Sequence, residues 1–340
     1  MQRSNLLLGL AIGDAYAAGL EFQDRDWIRQ HVDFTRFINM REHIQVAPEK
    51  LAAFTTHYQP WDYTDDTEMT IGSIKALCSG QNITEQHLVD CWDAEYREGL
   101  QRKGYGRNGH GSMAWYYEGR LGIEEVRDFQ RHRPNPGNAP AMRAIPFGLE
   151  AENLVNSYAA INAMATHPNA QAVQSSQIVA WAARYFLVEK GTAEGLIPYC
   201  LQKIELDEGY LIYLRNVDKL PDYEDLSDAD FSLLLGVQPI QEPYFLPGIK
   251  GLPSDSKYTA GAVLYILKHA SDAFDALKKS VHLGGDVDSL AALTTGILAG
   301  RLGVQSLPEY MIEAVEGKGY LRKIAAMWSK TLVRNAEEIK

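Results

Sequence analysis

Two short stretches of this 340-residue chain each place two carboxylates and a hydroxyl at the predicted start of a helix. One stretch is YTDDTEMTIG and the other, far along the chain, is HLGGDVDSLAALTTG. If the stretches meet in space, their four carboxylates repel one another, by about 4 kcal/mol for each pair at ~4 Å, and a divalent cation relieves that repulsion. Oxygen ligands without histidine or cysteine favour Mg²⁺, Mn²⁺ or Ca²⁺ over Zn²⁺. The pattern indicates a two-metal site with the candidate ligands Thr64, Asp65, Asp66, Asp286, Asp288 and Ser289.

The same side chains could instead be ordinary helix caps. Acidic and hydroxyl side chains are favoured at helix N-termini, where backbone amides are exposed. Asp286 and Ser289 could both act in this way, and Asp65 and Glu68 have the spacing of a capping arrangement. Neither stretch has the glycine and terminal glutamate of an EF-hand loop, so that class of calcium site is excluded.

A third pair of carboxylates, Asp14 and Glu21, flanks small residues near the N-terminus. Gly9 and Gly13 in the same stretch predict a close approach between two helices. The simplest interpretation is a tight helix crossing followed by an exposed glutamate.

Helical periodicity recurs along the chain and alternating strand patterns are rare, which predicts an all-α fold with many helices around one core. The clearest predicted helices are 65–80 and 84–100, with Thr84 as a cap, then 170–191, 259–270 and 272–284. Segments 102–120 and 131–149 are irregular and rich in turn residues. Ordered loops of this kind often carry function. No role can be assigned to 205–251.

Charge and composition exclude several classes of protein. A formal net charge of -11 argues against a nucleic-acid backbone as the main partner, because such binding needs basic patches. Three widely spaced cysteines predict a reducing compartment, the cytoplasm, and give no sign of a zinc site. No run reaches the roughly 18 apolar residues of a membrane span. The N-terminal stretch could be taken for a secretory signal, but Asp14 interrupts it.

Taken together, the motifs resemble those of the ADP-ribosylglycohydrolases and occur in the same order. The stretches that carry the resemblance are GLAIGDAYAAGLEF, YTDDTEMTIG, GYGRNGHGS, PGNAPAMRAIPFGL, ATHPNAQAV and HLGGDVDSLAALTTGILAGRLG. Residues from about 200 to 250 are not covered. The resemblance implies one all-α domain over residues 1–340, with two Mg²⁺ or Mn²⁺ ions held by the six ligands named above.

The resemblance also implies roles for other residues. Glu21 matches a glutamate near the metals and the reactive water, and it is the candidate base or acid, with Asp288 as a second catalytic carboxylate. His167 resembles a histidine that lines the ADP-ribose pocket. The remaining candidates for substrate binding are Asn135, Gly137 and Asn138, in a loop like the one that receives the diphosphate, and Tyr105.

Simpler interpretations exist for two of these sites. Thr166 and Pro168 could make the stretch around His167 an ordinary helix start. Tyr105 lies with Asn108 and His110 in a glycine-rich segment that could stack on an adenine or form a plain surface loop.

The implied activity is hydrolysis of the bond between ADP-ribose and an acceptor, by a water that the dinuclear centre activates. The expected partner is an ADP-ribosylated protein or a small ADP-ribose compound. Binding to a membrane is not expected. The chain departs from the family pattern at Ala17, Ala139 and Ser289. Because alanine does not readily take a positive φ, Ala139 and Pro140 put the diphosphate loop in doubt. This leaves two alternatives open: hydrolysis of a different ribosyl compound, and a non-catalytic member like the lens crystallins related to this family.

Overall fold

The computed structural model describes residues 2–43, 59–103, 110–240 and 248–338, and within these ranges it contains α-helices and no β-strand. The first nine helices are α1 (Gln2–Ala18), α2 (Arg25–His31), α3 (Asp65–Cys78), α4 (Glu85–Lys103), α5 (Met113–Tyr117), α6 (Ile123–Arg131), α7 (Ala139–Met142), α8 (Ile145–Gly148) and α9 (Glu152–Met164). The next nine are α10 (Ala170–Leu187), α11 (Leu196–Lys203), α12 (Glu208–Val217), α13 (Asp228–Leu235), α14 (Ser256–His269), α15 (Ala273–Val281), α16 (Val287–Leu302), α17 (Glu309–Ala314) and α18 (Lys318–Glu338). Two short 3₁₀ helices are Met40–Glu42 and Tyr223–Asp225. The predicted all-α fold is confirmed.

Helices α1 and α16 cross at the centre of the core. The residues of α16 are buried without interruption through its first 14 positions, 287–300, as expected for a helix surrounded by other helices. A Cβ atom at Gly9 would lie 2.3 Å from the Cβ of Ala299, and one at Gly13 would lie 2.3 Å from the carbonyl oxygen of Ala291. The predicted close helix approach is therefore confirmed. The two helices run antiparallel, so the start of α16 lies beside the end of α1.

Several predicted helix ends agree with the structure. Helix α3 stops at Cys78, two residues before Gly80, whose φ of +76° suits glycine. Thr84 caps α4, since its hydroxyl oxygen accepts a hydrogen bond from the backbone N–H of His87 at 3.1 Å. The predicted helices at 259–270 and 272–284 correspond to α14 and α15, and the unassigned region 205–251 contains α12 and α13.

The predicted end of α10 at Gly191 is wrong. The helix stops at Leu187. After it, the backbone N–H groups of Val188 and Glu189 both donate to the carbonyl of Arg184, and Lys190 has a positive φ of 58°. The chain thus turns before it reaches the glycine.

The alternative helix start at Thr166 and Pro168 is also wrong. Helix α10 begins at Ala170, and its cap is Asn169, whose side-chain oxygen accepts a hydrogen bond from the backbone N–H of Gln171. Thr166 is therefore free for another role. None of the described helices combines the length and apolar character needed to cross a membrane.

Candidate active site

The two acidic stretches meet at one cleft, at the N-terminal ends of α3 and α16. The cleft is lined by six of the predicted catalytic and metal-binding side chains, namely Glu21, Asp65, Asp66, Asp286, Asp288 and Ser289. Thr64 is buried behind this wall, where its hydroxyl oxygen accepts a hydrogen bond from the backbone N–H of Asp66 at 3.3 Å and so caps α3.

Asp14 of helix α1 fixes the start of α3. Its buried carboxylate accepts hydrogen bonds from the backbone N–H groups of Thr64 and Thr67, each at 3.0 Å, and from the hydroxyl of Thr67 at 2.6 Å. A carboxylate in this position satisfies amides that the helix itself leaves unpaired. Helix α1 thereby sets the direction in which Asp65 and Asp66 enter the cleft.

A turn of two glycines places Asp286 at the other side of the cluster. Gly284 and Gly285 have φ values of +69° and +77°, which favour glycine. A Cβ atom at Gly285 would lie 2.2 Å from the carbonyl oxygen of Leu252, so the close contact also excludes a side chain. The backbone N–H of Phe22 donates to the carbonyl of Gly285 at 2.8 Å. The turn is thus hydrogen-bonded to the segment that follows α1, and this segment carries Glu21, the predicted base.

Burial raises the pKa of all four aspartates in the cluster. It raises the pKa of Asp65 and of Asp286 to about 6, and those of Asp66 and Asp288 well above the ordinary value. Repulsion adds to burial, since Asp288 further raises the pKa of Asp66, and Asp286 further raises that of Asp288. The cluster therefore resists carrying four negative charges at neutral pH unless a cation balances them.

These donors fit a hard divalent cation. One carboxylate oxygen from each of Glu21, Asp286 and Asp288 lies within 4.8 Å of the other two. In the described part of the chain, Oδ1 of Asp66 is buried and has no hydrogen-bond partner. The side chain of Asp286 makes no capping hydrogen bond to α16, so the cap interpretation fails for this residue. Buried carboxylate oxygens without donors are groups that a bound cation would satisfy.

The loop before α7 forms the facing wall of the cleft and touches the acidic cluster directly. The side-chain amide of Asn138 donates to Oδ2 of Asp286 at 3.0 Å and to the hydroxyl of Thr259 at 3.3 Å. The hydroxyl of Ser254 also donates to Asp286. The position of Asp286 is thus fixed by side chains from two further segments.

Ala139 does not distort this loop. Asn138 has a φ of -85°, and Ala139 is the first residue of α7, so neither residue needs the positive φ that alanine disfavours. Pro140 lies in the first turn of the same helix, where proline is well tolerated. The expected disturbance of the backbone at Ala139 is therefore wrong.

His167 lies buried on the same wall. A Cβ atom at Gly137 would lie 3.2 Å from its Nε2 atom, and the hydroxyl of Thr166 lies 2.8 Å from its Nδ1 atom. Burial, followed by the charges of Arg143 and Arg133, lowers the pKa of His167 well below its usual value. The ring is therefore neutral at pH 7.

The other predicted residues are placed differently. Asn135 is exposed and is not part of the cleft wall. Tyr105 lies outside the described residues. His110 does line the cleft, and its ring nitrogens contact Oε2 of Glu68 at 3.1 Å and the hydroxyl of Tyr117 at 3.0 Å.

Several residues that line the cleft were not identified from the sequence, among them Gln130, Arg133, Arg143 and Ser254. The two arginines flank the predicted diphosphate loop, and their position inside the irregular segment 131–149 was a usable signal. Ser254 lies in a region without a recognisable motif, so nothing in the sequence pointed to it.

Comparisons with known proteins bear on the family and the fold. Residues 4–338 match the sequence model of the family described as ADP-ribosylglycohydrolase. An uncharacterised protein of Archaeoglobus fulgidus is 24% identical over 94% of this chain and 93% of its own length. An ADP-ribosylarginine hydrolase of Pseudomonas putida is 26% identical over 94% of this chain and 75% of its own, and an ADP-ribosylhydrolase of Bos taurus is 21% identical over 92% and 87%. A solved structure described as an ADP-ribosylglycohydrolase-related protein complex shares the fold, with a TM-score of 0.63 and 19% identity over 97% of both chains.

Proposed function

Because the chain belongs to the ADP-ribosylglycohydrolase family, we propose that it hydrolyses the glycosidic bond between ADP-ribose and an acceptor group in a reaction that requires divalent cations. The observation that carries this proposal is the convergence of two distant acidic stretches on one cleft that also contains Glu21. Helix capping alone gives no reason for the two stretches to meet.

The ions in this proposal are two Mg²⁺ or Mn²⁺, and the residues that would hold them are Thr64, Asp65, Asp66, Asp286, Asp288 and Ser289. When bound, such ions would neutralise the carboxylates, orient the ribose hydroxyls and acidify a water. The raised pKa values of the aspartates and the unpaired oxygen of Asp66 support this donor set.

Glu21 is the proposed base or acid. Its side chain is half-buried and lies within reach of Asp286 and Asp288. In the reaction, the oxygen of a water forms a bond to the anomeric carbon, the bond from that carbon to the acceptor breaks, and Glu21 accepts the proton that the water loses. The acceptor takes up one proton from the surrounding water as it leaves, and Glu21 afterwards returns its proton to the surrounding water. The carboxylates around the sugar, Asp288 among them, stabilise its developing positive charge.

The substrate would lie along the facing wall. We assign the diphosphate to Gly137 and Asn138 of the loop and the pocket lining to His167. Asn135, at the exposed edge of this loop, and Tyr105 stay proposed contacts for the parts of the ligand outside the cleft wall. Arginine is the first acceptor to test, because the Pseudomonas putida relative is an ADP-ribosylarginine hydrolase. The three cysteines are free, in keeping with the reducing cytoplasm as the proposed location.

The test is an ADP-ribose release assay on the purified full chain, with ADP-ribosylated arginine and serine as substrates, with Mg²⁺, Mn²⁺ or EDTA. We expect ADP-ribose release only when a metal ion is present. The rate of release should fall by at least about 100-fold in the Asp288→Asn variant. The variant should fold, since asparagine has the same shape and removes one repelling charge. Release in EDTA, or an unchanged rate in the variant, would show the metal assignment to be wrong. Metal-dependent binding of ADP-ribose without any release would instead indicate a non-catalytic member.

A further inference from the structure

Arg143 is a buried cation that forms no salt bridge with any carboxylate in the described part of the chain, although the charge of Asp65 acts on it. Its side chain is fully buried, and the guanidinium lies 3.7 Å from the centre of the Trp92 ring. The nitrogens donate to the side-chain oxygen of Asn162 at 2.7 Å, to the backbone carbonyl of Asn162 at 3.1 Å and to the hydroxyl of Thr166 at 2.7 Å. Burying an arginine without a carboxylate is costly, so its retention at the wall of the cleft calls for a physical reason.

The contact with Thr166 restricts what that hydroxyl can do next. An arginine can only donate, so the oxygen of Thr166 is an acceptor in this contact. The oxygen could accept a second hydrogen bond, but among the described residues Nδ1 of His167, 2.8 Å away, is the one contact left for the hydroxyl hydrogen of Thr166. If the hydroxyl donates to Nδ1, the hydrogen of the neutral ring must be on Nε2.

Nε2 is the ring nitrogen next to Gly137, since Nδ1 contacts Thr166. Gly137 and His167 both line the cleft, and the missing side chain of Gly137 leaves room next to Nε2. An N–H group at this point can donate to a ligand oxygen, whereas a bare nitrogen would repel it.

We propose that Arg143 is a positioning residue, which acts through Thr166 to hold His167 with its hydrogen on Nε2, so that the ring donates to an oxygen of the ligand. The proposal rests on the proposed function for the identity of that oxygen, which belongs to a phosphate or a hydroxyl of ADP-ribose. It does not need the proposed function for the state of the ring, which is a property of the protein alone.

The first experiment reads the ring directly. The ¹⁵N spectrum of the full chain, with His167 assigned among the nine histidines by a His167→Gln variant, should show hydrogen on Nε2 and Nδ1 as a hydrogen-bond acceptor at pH 7. Hydrogen on Nδ1 would overturn the proposal. A purely structural role for Arg143, as a strut between helices, predicts no particular state of the ring.

The second experiment removes the hydroxyl and leaves Arg143 in place, because a change of the fully buried arginine could prevent folding. Thr166→Val keeps the shape of the side chain and loses the hydroxyl, whereas Thr166→Ser keeps the hydroxyl. In the valine variant we expect the Nδ1 resonance to shift to that of an unbonded nitrogen and the affinity for ADP-ribose, measured by calorimetry with Mg²⁺, to fall about tenfold. The serine variant should retain the wild-type resonance and affinity. An unchanged resonance and affinity in the valine variant would overturn the proposal.

The two proposals fail in different ways. If the wild-type chain neither binds ADP-ribose nor releases it from a substrate, the proposed function is wrong, and the spectrum still decides whether Arg143 and Thr166 fix the ring. If the chain binds ADP-ribose but the ring carries its hydrogen on Nδ1, only the role of Arg143 is wrong.

Discussion

Arg133 brings a positive charge to a cleft that is otherwise rich in carboxylates. Its side chain is half-buried in the cleft wall, with the guanidinium 5.8 Å from the centre of the Phe129 ring. It forms no salt bridge with any of the described acidic residues, although the protein has a net charge of -11. An uncompensated guanidinium beside a cleft is suited to an anionic ligand, and a diphosphate is one.

We therefore expect Arg133→Gln to weaken the binding of ADP-ribose by about tenfold, the lower end of what a charge-assisted hydrogen bond contributes. The binding should also become less sensitive to salt, because one ionic contact is lost. Calorimetric titration with ADP-ribose at two salt concentrations measures both effects. The matched control is Arg131→Gln, since Arg131 lies outside the cleft and pairs with Asp128 at 2.8 Å. Equal losses in the two variants would contradict a specific role for Arg133.

At the scale of single residues, the sequence was informative where side-chain chemistry recurs in a motif. The four aspartates could be proposed to meet because the same set of side chains recurs at two helix starts, although helix capping was an alternative explanation for each. Asp14 was visible as an acidic residue, but nothing in its surroundings along the chain indicates that it accepts the N–H groups of Thr64 and Thr67, 50 and 53 positions away. Arg143 was missed because an arginine is usually exposed, and only the fold brings Trp92 and Thr166 to it.

At the scale of the helices, the site depends on how closely α1 approaches α16. Glu21 follows the end of α1, and Asp288 lies in the first turn of α16. The contact between the two backbones at Gly13 therefore sets the distance across which the two carboxylates face each other.

Gly13→Ala tests this dependence. The added Cβ atom would lie 2.3 Å from the carbonyl oxygen of Ala291, a backbone atom that cannot move without the helix. We expect the free energy of unfolding to fall by about 1–3 kcal/mol and metal-dependent hydrolysis to fall with it, because the two helices must move apart. Chemical denaturation and the ADP-ribose release assay measure the two effects.

The control for this change is Gly319→Ala in α18, where an added Cβ atom has no neighbour within 4 Å. Alanine favours helix over glycine, so this variant should be slightly more stable, by up to about 1 kcal/mol, and fully active. If Gly13→Ala were as stable and active as this control, the close crossing would not be what positions the site.

Helix boundaries show why the sequence predicted the elements better than their ends. Helical periodicity identified α10, and Gly191, a residue type that often ends a helix, marked its predicted end. The chain turns earlier because Lys190 adopts a positive φ, and Arg301 of α16 donates hydrogen bonds to the backbone carbonyls of Phe186 and Lys190. Contacts of this kind come from distant elements, and a local pattern does not contain them.

At the scale of the whole molecule, folding leaves several histidines in surroundings that oppose protonation. Burial is the main cause of a lowered pKa for His43, His167, His269 and His282. For His282, the charges of Arg29 and Lys278 add to burial, and together they lower the pKa to about 4. The ring also packs edge-on against Phe34, with centroids 5.2 Å apart.

The sign of the pH dependence follows from this shift. In the unfolded chain His282 has a pKa near 6.5, so between pH 6.5 and pH 4 the unfolded state binds more protons than the folded state. The contribution of His282 to the free energy of unfolding is fully present above pH 6.5. It declines as the pH falls below 6.5 and is lost once the pH has fallen through 4. We expect His282→Gln to remove this component, so that its free energy of unfolding declines less than that of the wild type over this range, by at most about 3 kcal/mol.

Denaturant unfolding at pH 7, 5.5 and 4, in EDTA so that metal binding does not contribute, measures the decline for each protein. Because the acidic cluster is the same in both proteins, its own response to pH cancels in the difference between them. His132→Gln is the control, since the side chain of His132 is 73% exposed, and this variant should follow the wild-type curve. If the His282→Gln variant also followed the wild-type curve, protonation of His282 would not destabilise the folded protein. The surroundings of the ring would then have to open to water in acid before the rest of the molecule unfolds.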